Sequence, residues 1–468
     1  MAVMRRSMRN GKKLTFVLAL LLAAAVFAAG CSEGNDGNSG SAGSGTSTAG
    51  TQANQSGDSS GQQSKPFAGT KLTVYLANHP WTSSIEPYLS EFEELTGIDL
   101  DVQSFYEDQF TQKLTVQLTS GSSSPDVFMN RLMVTGRLYY ENGWVTPLND
   151  YIKNAPAEYD FEDFTESSIS AGTYNGDITA IPVNSEQQVI YYRKDILEAN
   201  NVPVPSTLQE LYDAAVKLQD PSKQLYGFMT MTTQNSIVTQ ASSFVYSEGG
   251  DFIKDGKATV NMPETVRGLK IFADLLKDAG PPEKLNMAWP QALDMFAQGN
   301  VVFFTHANSI HDGATNPEKS KVWDKIGFAP IPAGSKGSVP YNITPWALSI
   351  NAKSENKEAA WEFIQWATSK EGVLRTQMKG TPGSRKSVWE NPEGTSGFPA
   401  DLAETFRTES QRGVDHNGPN NIFVVEAREI IGELIVRGIV GEDIAAHADD
   451  TNRALQELLD REAKQFGK

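Results

Sequence analysis

The chemistry-bearing side chains of this chain are few: one cysteine, Cys31, and five histidines, at 79, 306, 311, 416 and 447. Cys31 stands directly behind Ala28-Ala29-Gly30, which close an uncharged run from Leu14 headed by Arg5, Arg6, Arg9, Lys12 and Lys13. A basic head, an apolar run and small residues before a cut site form a secretory signal. A thiol at the first position after the cut is a nucleophile placed to take up a diacylglyceryl group, so residues 1–30 read as a lipoprotein signal and Cys31 as the lipidated residue. A plain secretory signal with a buried Cys31 is the alternative. A retained membrane helix is disfavoured, because the apolar run falls short of the roughly 20 residues that span a bilayer. His306 and His311 are five apart, outside the i, i+4 helical pair, and no cysteine lies near them. Asp415-His416-Asn417-Gly418 has the start of a calcium loop without its distal Glu and reads as a turn. With no nucleophile elbow, phosphate loop or dinucleotide fingerprint, the expectation is no catalytic residues, no metal and no cofactor. Paired carboxylates remain the one enzymatic option, since 57 Asp and Glu offer many pairs.

The region around Cys31 resembles a bacterial lipobox, with Ala28 where Leu is more usual. Two acyl chains give stable anchoring where one gives only marginal binding. The expected location is therefore outside the cytoplasm, lipid-anchored to the bacterial cell membrane. With Cys31 consumed, no intrachain disulfide is available, and stability must come from a large core. Loss of the five leader cations takes the net charge from −17 to about −22. No basic run survives, which argues against nucleic acid and against adsorption to an anionic leaflet. Residues 32–65 contain no aromatic and no large aliphatic side chain and cannot fold. As a Gly/Ser coil of about 34 residues they span on the order of 30 Å.

After Pro66 the pattern alternates. Lys71 to Leu76, Ile98 to Val102 and Pro125 to Asn130 read as strands, and Trp81 to Leu95 and Phe110 to Leu118 as the helices between them. This order implies a mainly parallel sheet with helices on both faces, whose ligands lie outside the carboxyl ends of the strands. Asn78 to Trp81, Asn130 and Arg131 fall at those ends. A second run begins at Gln188 to Tyr192. It continues through helices at Leu208 to Leu218, Val266 to Leu276 and Gln291 to Gln298, then the strand Val301 to Phe304. Two such units suggest two lobes.

Several passages carry a family resemblance. They are Gly143-Trp-Val-Thr-Pro-Leu-Asn-Asp-Tyr151, Gly176-Asp-Ile-Thr-Ala-Ile-Pro182, Ile190-Tyr-Tyr-Arg-Lys-Asp195, Lys325-Ile-Gly-Phe-Ala-Pro-Ile-Pro332, Pro345-Trp-Ala-Leu-Ser-Ile350 and Asn356-Lys-Glu-Ala-Ala-Trp-Glu-Phe363. In this order, from about residue 70 to 465, they resemble the family 1 extracellular solute-binding proteins, the sugar-binding components of ABC importers, of which maltose-binding protein is a distant member. Gly-Asp replaces the family's Gly-Lys at 176–177, and Tyr-Arg its Tyr-Asn at 192–193. The resemblance implies an α/β, two-lobed, type II periplasmic-binding-protein-like fold with discontinuous lobes. Residues 66–184 plus 333–370 would form the N-terminal lobe, and 185–332 plus 371–468 the C-terminal lobe. Crossovers would lie at Val183 to Glu186, Pro332 to Gly337 and Lys370 to Leu374, permitting hinge closure.

The resemblance also implies a monomer that binds a sugar or oligosaccharide and meets ABC permease subunits. Such a ligand needs flat aromatic faces and planar polar side chains. Trp81, Trp289 and Trp346 would lie near the cleft, with core packing as the alternative for each. Glu186 aligns with a hinge acid that contacts sugar in maltose-binding protein, and Gln187 sits beside it; a solvated hinge loop is the other reading. Asn130 and Arg131 either contact ligand or bridge to the neighbouring lobe. Thr305-His306-Ala-Asn308 replaces the family's Gly-x-Trp, exchanging an aromatic platform for the hydrogen-bonding His306 and Asn308. Arg385 lies in a loop whose Arg often reaches the cleft, and with Arg131 it would favour a carboxylate-bearing ligand. An exported carbohydrate-active enzyme and a cell-surface adhesion module are the rival readings.

Overall fold

A computed structural model describes residue 65 and residues 67–467 apart from 344, 410 and 411. The leader, Cys31 and the Gly/Ser tract lie outside the described residues. Along the chain the principal strands are Lys71–Ala77 (β1), Asp99–Phe105 (β2), Val127–Arg131 (β3), Ile181–Pro182 (β4), Glu186–Arg193 (β5), Tyr226–Met229 (β6), Val301–Ala307 (β7), Ile326–Pro330 (β8) and Trp346–Ile350 (β9). They form two sheets. The first has the order β2-β1-β3-β9-β4, and the second β8-β5-β7-β6.

In the first sheet β1 runs parallel to both β2 and β3. The late strand β9 is antiparallel to β3 and β4, setting Trp346 opposite Arg131 and Ala347 opposite Asn130. In the second sheet β5 is antiparallel to β7 and β8, while β7 and β6 are parallel. Each sheet has its own core. One gathers Trp81, Phe92, Phe128, Tyr139, Leu348 and Phe363, and the other Tyr191, Phe228, Phe244, Phe272, Phe296 and Phe304. Edge-on ring pairs tighten both, such as Phe92 with Phe363 at 5.4 Å and Phe244 with Phe272 at 5.2 Å.

Local chemistry explains the element ends near the cleft. The expected helix Trp81 to Leu95 is broken into Pro80–Ile85, a short 3₁₀ turn at Glu86–Tyr88, and Leu89–Thr96. Pro87 has no N–H to continue the ladder. Gly97 then closes the second helix at φ +79°, where its N–H reaches the Glu93 carbonyl at 2.9 Å. Helix Val424–Ile439 buries Ala427, Arg428, Ile431, Leu434 and Ile435 on one face. Gly432 on that helix faces the Gln234 carbonyl so closely that an added Cβ would stand 2.0 Å away.

Two lobe boundaries need correcting. Residues 333–343, assigned to the first lobe, pack on the second: Ala333 bonds Ser206, Lys336 N–H donates to the Ser247 carbonyl, and Asn342–Ile343 pairs with β5. Residues 371–390, assigned to the second lobe, pack on the first. Arg375 grips Glu91 at 2.9 and 3.0 Å, and Thr165 N–H bonds the Ser384 carbonyl. The chain reaches the second core again at Asp401 and Leu402, where the Asp401 carboxylate accepts from Phe328 N–H. Charge pairing and backbone bonds, invisible to local pattern, set these limits. Among the described residues no helix is long and apolar enough to cross a membrane, and no group of three or more His, Cys, Asp or Glu is placed to hold a metal ion.

Candidate functional site

A cavity opens between the two sheets. His79 follows β1, Glu107 follows β2 and Arg131 ends β3, so the first lobe supplies the carboxyl ends of its parallel strands. Met133 and Trp346 complete that wall. The second lobe contributes Glu186, Thr239, Trp289, His306, Ser309, Tyr341, Asn417 and Arg428. The cavity continues outward into an open cleft that shares His79, Trp289 and Ser309 and adds Tyr106, Lys319 and Lys379.

Glu186 ties the lobes together. Its Oε1 accepts from His79 Nε2 at 3.3 Å, Asn184 Nδ2 at 3.0 Å and Ser309 Oγ at 2.6 Å. His79 caps helix Pro80–Ile85 by accepting Trp81 N–H on Nδ1 at 3.2 Å, which leaves the proton on Nε2 for Glu186. Burial opposes ionisation of Glu186, but the bonds from His79 and Ser309 outweigh it and hold the carboxyl below its ordinary range. All three bonds fall on Oε1, so Oε2 carries none of them.

On the first-lobe wall Arg131 lies 5.5 Å from the Trp346 ring centroid, pairs with Glu107 at 3.4 Å and bonds Thr111 at 3.2 Å. Trp346 also meets His79 at 5.6 Å, so it is both core and cavity wall. On the second-lobe wall the half-buried Trp289 opens helix Trp289–Ala297 and lies 6.4 Å from the His306 ring. His306 stacks on Phe304 with planes 3° apart. Burial pushes its pKa down to about 4, so the ring is neutral at neutral pH, with one nitrogen a donor and the other an acceptor. Neither ring nitrogen has a hydrogen-bond partner within the protein.

Arg428, also buried, bonds Thr239 Oγ1 at 2.9 Å and Asn417 Oδ1 at 2.6 Å. The loop bearing Asn417 is pinned by His416, whose Nε2 lies 3.2 Å from Asp251 and whose Nδ1 lies 3.1 Å from Asp415. Burial disfavours its charge, but the two carboxylates raise its pKa to about 9 and keep it cationic.

Of the residues expected at a site, Arg131, Glu186, Trp289, His306 and Trp346 come together around this cavity. The other five do not line it. Trp81 is 1% exposed and packs in the first core. Asn130 is locked between strands by a bond to Ser349 Oγ at 3.1 Å. Gln187 and Asn308 bond each other, Gln187 N–H to Asn308 Oδ1 at 3.1 Å, inside the second lobe. Arg385 is fully buried, bonding the carbonyls of Tyr159, Asp160 and Thr368 and pairing with Asp163 at 3.3 Å. It cross-links the chain and does not reach the cleft. The residues sequence reading missed are Glu107, Thr239, Ser309, Tyr341, Asn417 and Arg428. Only Asn417 had a local signal, in the turn motif from Asp415.

The family model for bacterial extracellular solute-binding proteins matches residues 78–374. The chain belongs to that family. Among relatives of this solute-binding protein, the erythritol/L-threitol-binding protein of Mycolicibacterium smegmatis is 28% identical over 347 residues, covering 69% of this chain and 72% of its own. The mannitol-binding protein of Pseudomonas aeruginosa is 25% identical, covering 85% and 94%. A solute-binding protein of Agrobacterium radiobacter K84, solved in complex with ribitol, superposes with a TM-score of 0.77 at 29% identity, over 84% of this chain and all of the other. The solute-binding protein thus has the two-lobed type II α/β fold, and the cavity occupies the position between its lobes.

Proposed function

We propose that this solute-binding protein captures a sugar, polyol or short oligosaccharide between its lobes and delivers it, as a monomer, to ABC permease subunits. One observation carries the reading: a single cavity joins aromatic faces (Trp289, Trp346) to hydrogen-bonding groups from both lobes, including the unpartnered nitrogens of His306. Apolar faces suit the C–H surface of a carbohydrate, and a neutral imidazole can both donate to and accept from hydroxyls. The relatives named for erythritol/L-threitol and mannitol, and the neighbour holding ribitol, make short alditols the first ligands to try. Contacts from both lobes make the ligand favour the closed arrangement, which is the state a permease would recognise.

A glycosidase would need a cavity carboxyl raised toward neutrality to act as acid. Glu186 is held low and Glu107 is paired with Arg131, which favours binding over hydrolysis. The test is a thermal-shift screen of erythritol, ribitol, D-mannitol and maltose. At least one should raise the unfolding temperature without being consumed. Trp289→Ala should then weaken that ligand by about tenfold while leaving the ligand-free unfolding temperature nearly unchanged. Turnover, or no shift with any of the four, would sink the reading.

Cys31 anchors the protein in this proposal, and the Gly/Ser tract holds the lobes at high local concentration near the permease. Cys31→Ser should move the protein from the membrane fraction to the medium with its ligand affinity unchanged. Retention of the variant in membranes would refute the anchor.

A further inference from the structure

Arg428 has no carboxylate partner. Its guanidinium is 2% exposed and lines the cavity, yet its bonds go to the neutral Thr239 Oγ1 and to Asn417 Oδ1 and carbonyl oxygen, and Nε has no partner. Among the described residues no acid stands within ion-pair distance of it. The contrast with Arg385 is direct, since that equally buried guanidinium has Asp163 at 3.3 Å. A buried ion without a counter-ion is costly, and burying a second cation beside it costs more. Burial is the main effect opposing the charge on Arg428; Arg131, which also lines the cavity, adds repulsion, and Glu107 offsets part of it through space. Glu107 contacts Arg131 at 3.4 Å, so Arg428 is the member of the pair with no carboxylate in contact.

The acid that could offset it is elsewhere. Glu186 is committed to His79, Asn184 and Ser309, and Tyr341 on the same cavity wall feels the charge of both Glu186 and Arg428. The cavity wall thus offers Glu186 to accept hydroxyl protons and Arg428, which no carboxylate contacts, to receive negative charge. Gly418 packs beside Arg428, where an added Cβ would stand 3.3 Å from Nε and Nη2.

We propose that the ligand is a hydroxylated organic anion, a sugar or polyol bearing a carboxylate, whose charged group lies at Arg428 between it and Arg131 while its hydroxyls face Glu186 and His306. This rests on the carbohydrate reading above and narrows it. A carboxylate offers two acceptors to the guanidinium donors, and charge-assisted bonds in a dry site are the strong kind. A phosphate monoester offers the same anionic oxygens and is separated by the experiment.

The experiment is calorimetric titration of the full chain with length-matched pairs: ribitol against D-ribonate, D-mannitol against D-mannonate, and D-mannitol 1-phosphate as the phosphate arm. At least one acid should bind about tenfold or more tightly than its alditol. Arg428→Gln should abolish that advantage and change alditol affinity by much less. Tighter binding of the phosphate than of the acid moves the assignment to a phosphorylated ligand and overturns the carboxylate. Alditols binding as tightly as their acids overturns the anion and leaves the carbohydrate reading standing. Binding of no member of any pair overturns both. The wild-type comparison decides the matter even if the variant fails to fold.

Discussion

Arg385→Met is expected to lower the unfolding free energy by about 3–5 kcal/mol, the cost of removing one partner from a buried ion pair. The guanidinium is 0% exposed and uses three nitrogens: Nε to the Thr368 carbonyl at 2.8 Å, Nη2 to the Tyr159 carbonyl at 2.8 Å, and Nη1 to the Asp160 carbonyl at 2.9 Å and Asp163 at 3.3 Å. It also stacks over Phe164 at 4.0 Å. Methionine fills the aliphatic volume but leaves three carbonyls and a carboxylate short of a donor. Denaturant melts of the variant check the figure, and a loss below about 1 kcal/mol would mean that water replaces the whole network.

The same variant should change the acid response. Burial pushes the Asp163 carboxyl up, but the Ser387 bonds and Arg385 outweigh it and hold it below its ordinary value. With a folded pKa below the unfolded one, its contribution is complete above about pH 4 and fades as pH falls further. Arg385→Met removes part of that depression, so its stability should fall less steeply than wild type below about pH 4. A parallel decline in the two proteins would show that Ser387 alone holds Asp163 down.

Glu186→Ala should weaken ligand binding by about a hundredfold, since bonds to a charged group contribute about 1.5–3 kcal/mol each. The substitution removes an acceptor at the cavity wall and strands three donors, His79 from the first lobe, Asn184 from the crossover and Ser309 from the second lobe. It therefore acts on the contact surface and on the hinge together. Glu186→Gln keeps the shape and one acceptor oxygen and should fall between wild type and Ala. Titration of both variants with whichever ligand stabilises wild type measures this. Wild-type affinity in Glu186→Ala would reduce Glu186 to a hinge strut.

Much was legible before any coordinates. Strand and helix periodicity, turn glycines and the order of motifs are encoded within a dozen neighbouring residues, so the α/β class and the family could be read directly. The helix break at Pro87 shows where periodicity misled: the apolar spacing from Ile85 to Leu95 continues across a residue that cannot donate. Trp81 and Arg385 show a second failure, because aromatic and charged side chains serve cores and clefts alike, and sequence carries no sign of which way they face.

The sequence alone determined the alternating elements, the family and the kind of side chain able to meet a carbohydrate. Tertiary structure alone decided which of them do. The cavity draws on His79 and on Arg428, almost the length of the folded chain apart, brought together when helix Val424–Ile439 packs onto the second core. Whether a buried arginine finds an aspartate, as Arg385 does, or only neutral partners, as Arg428 does, depends on long-range docking, and no local pattern records it.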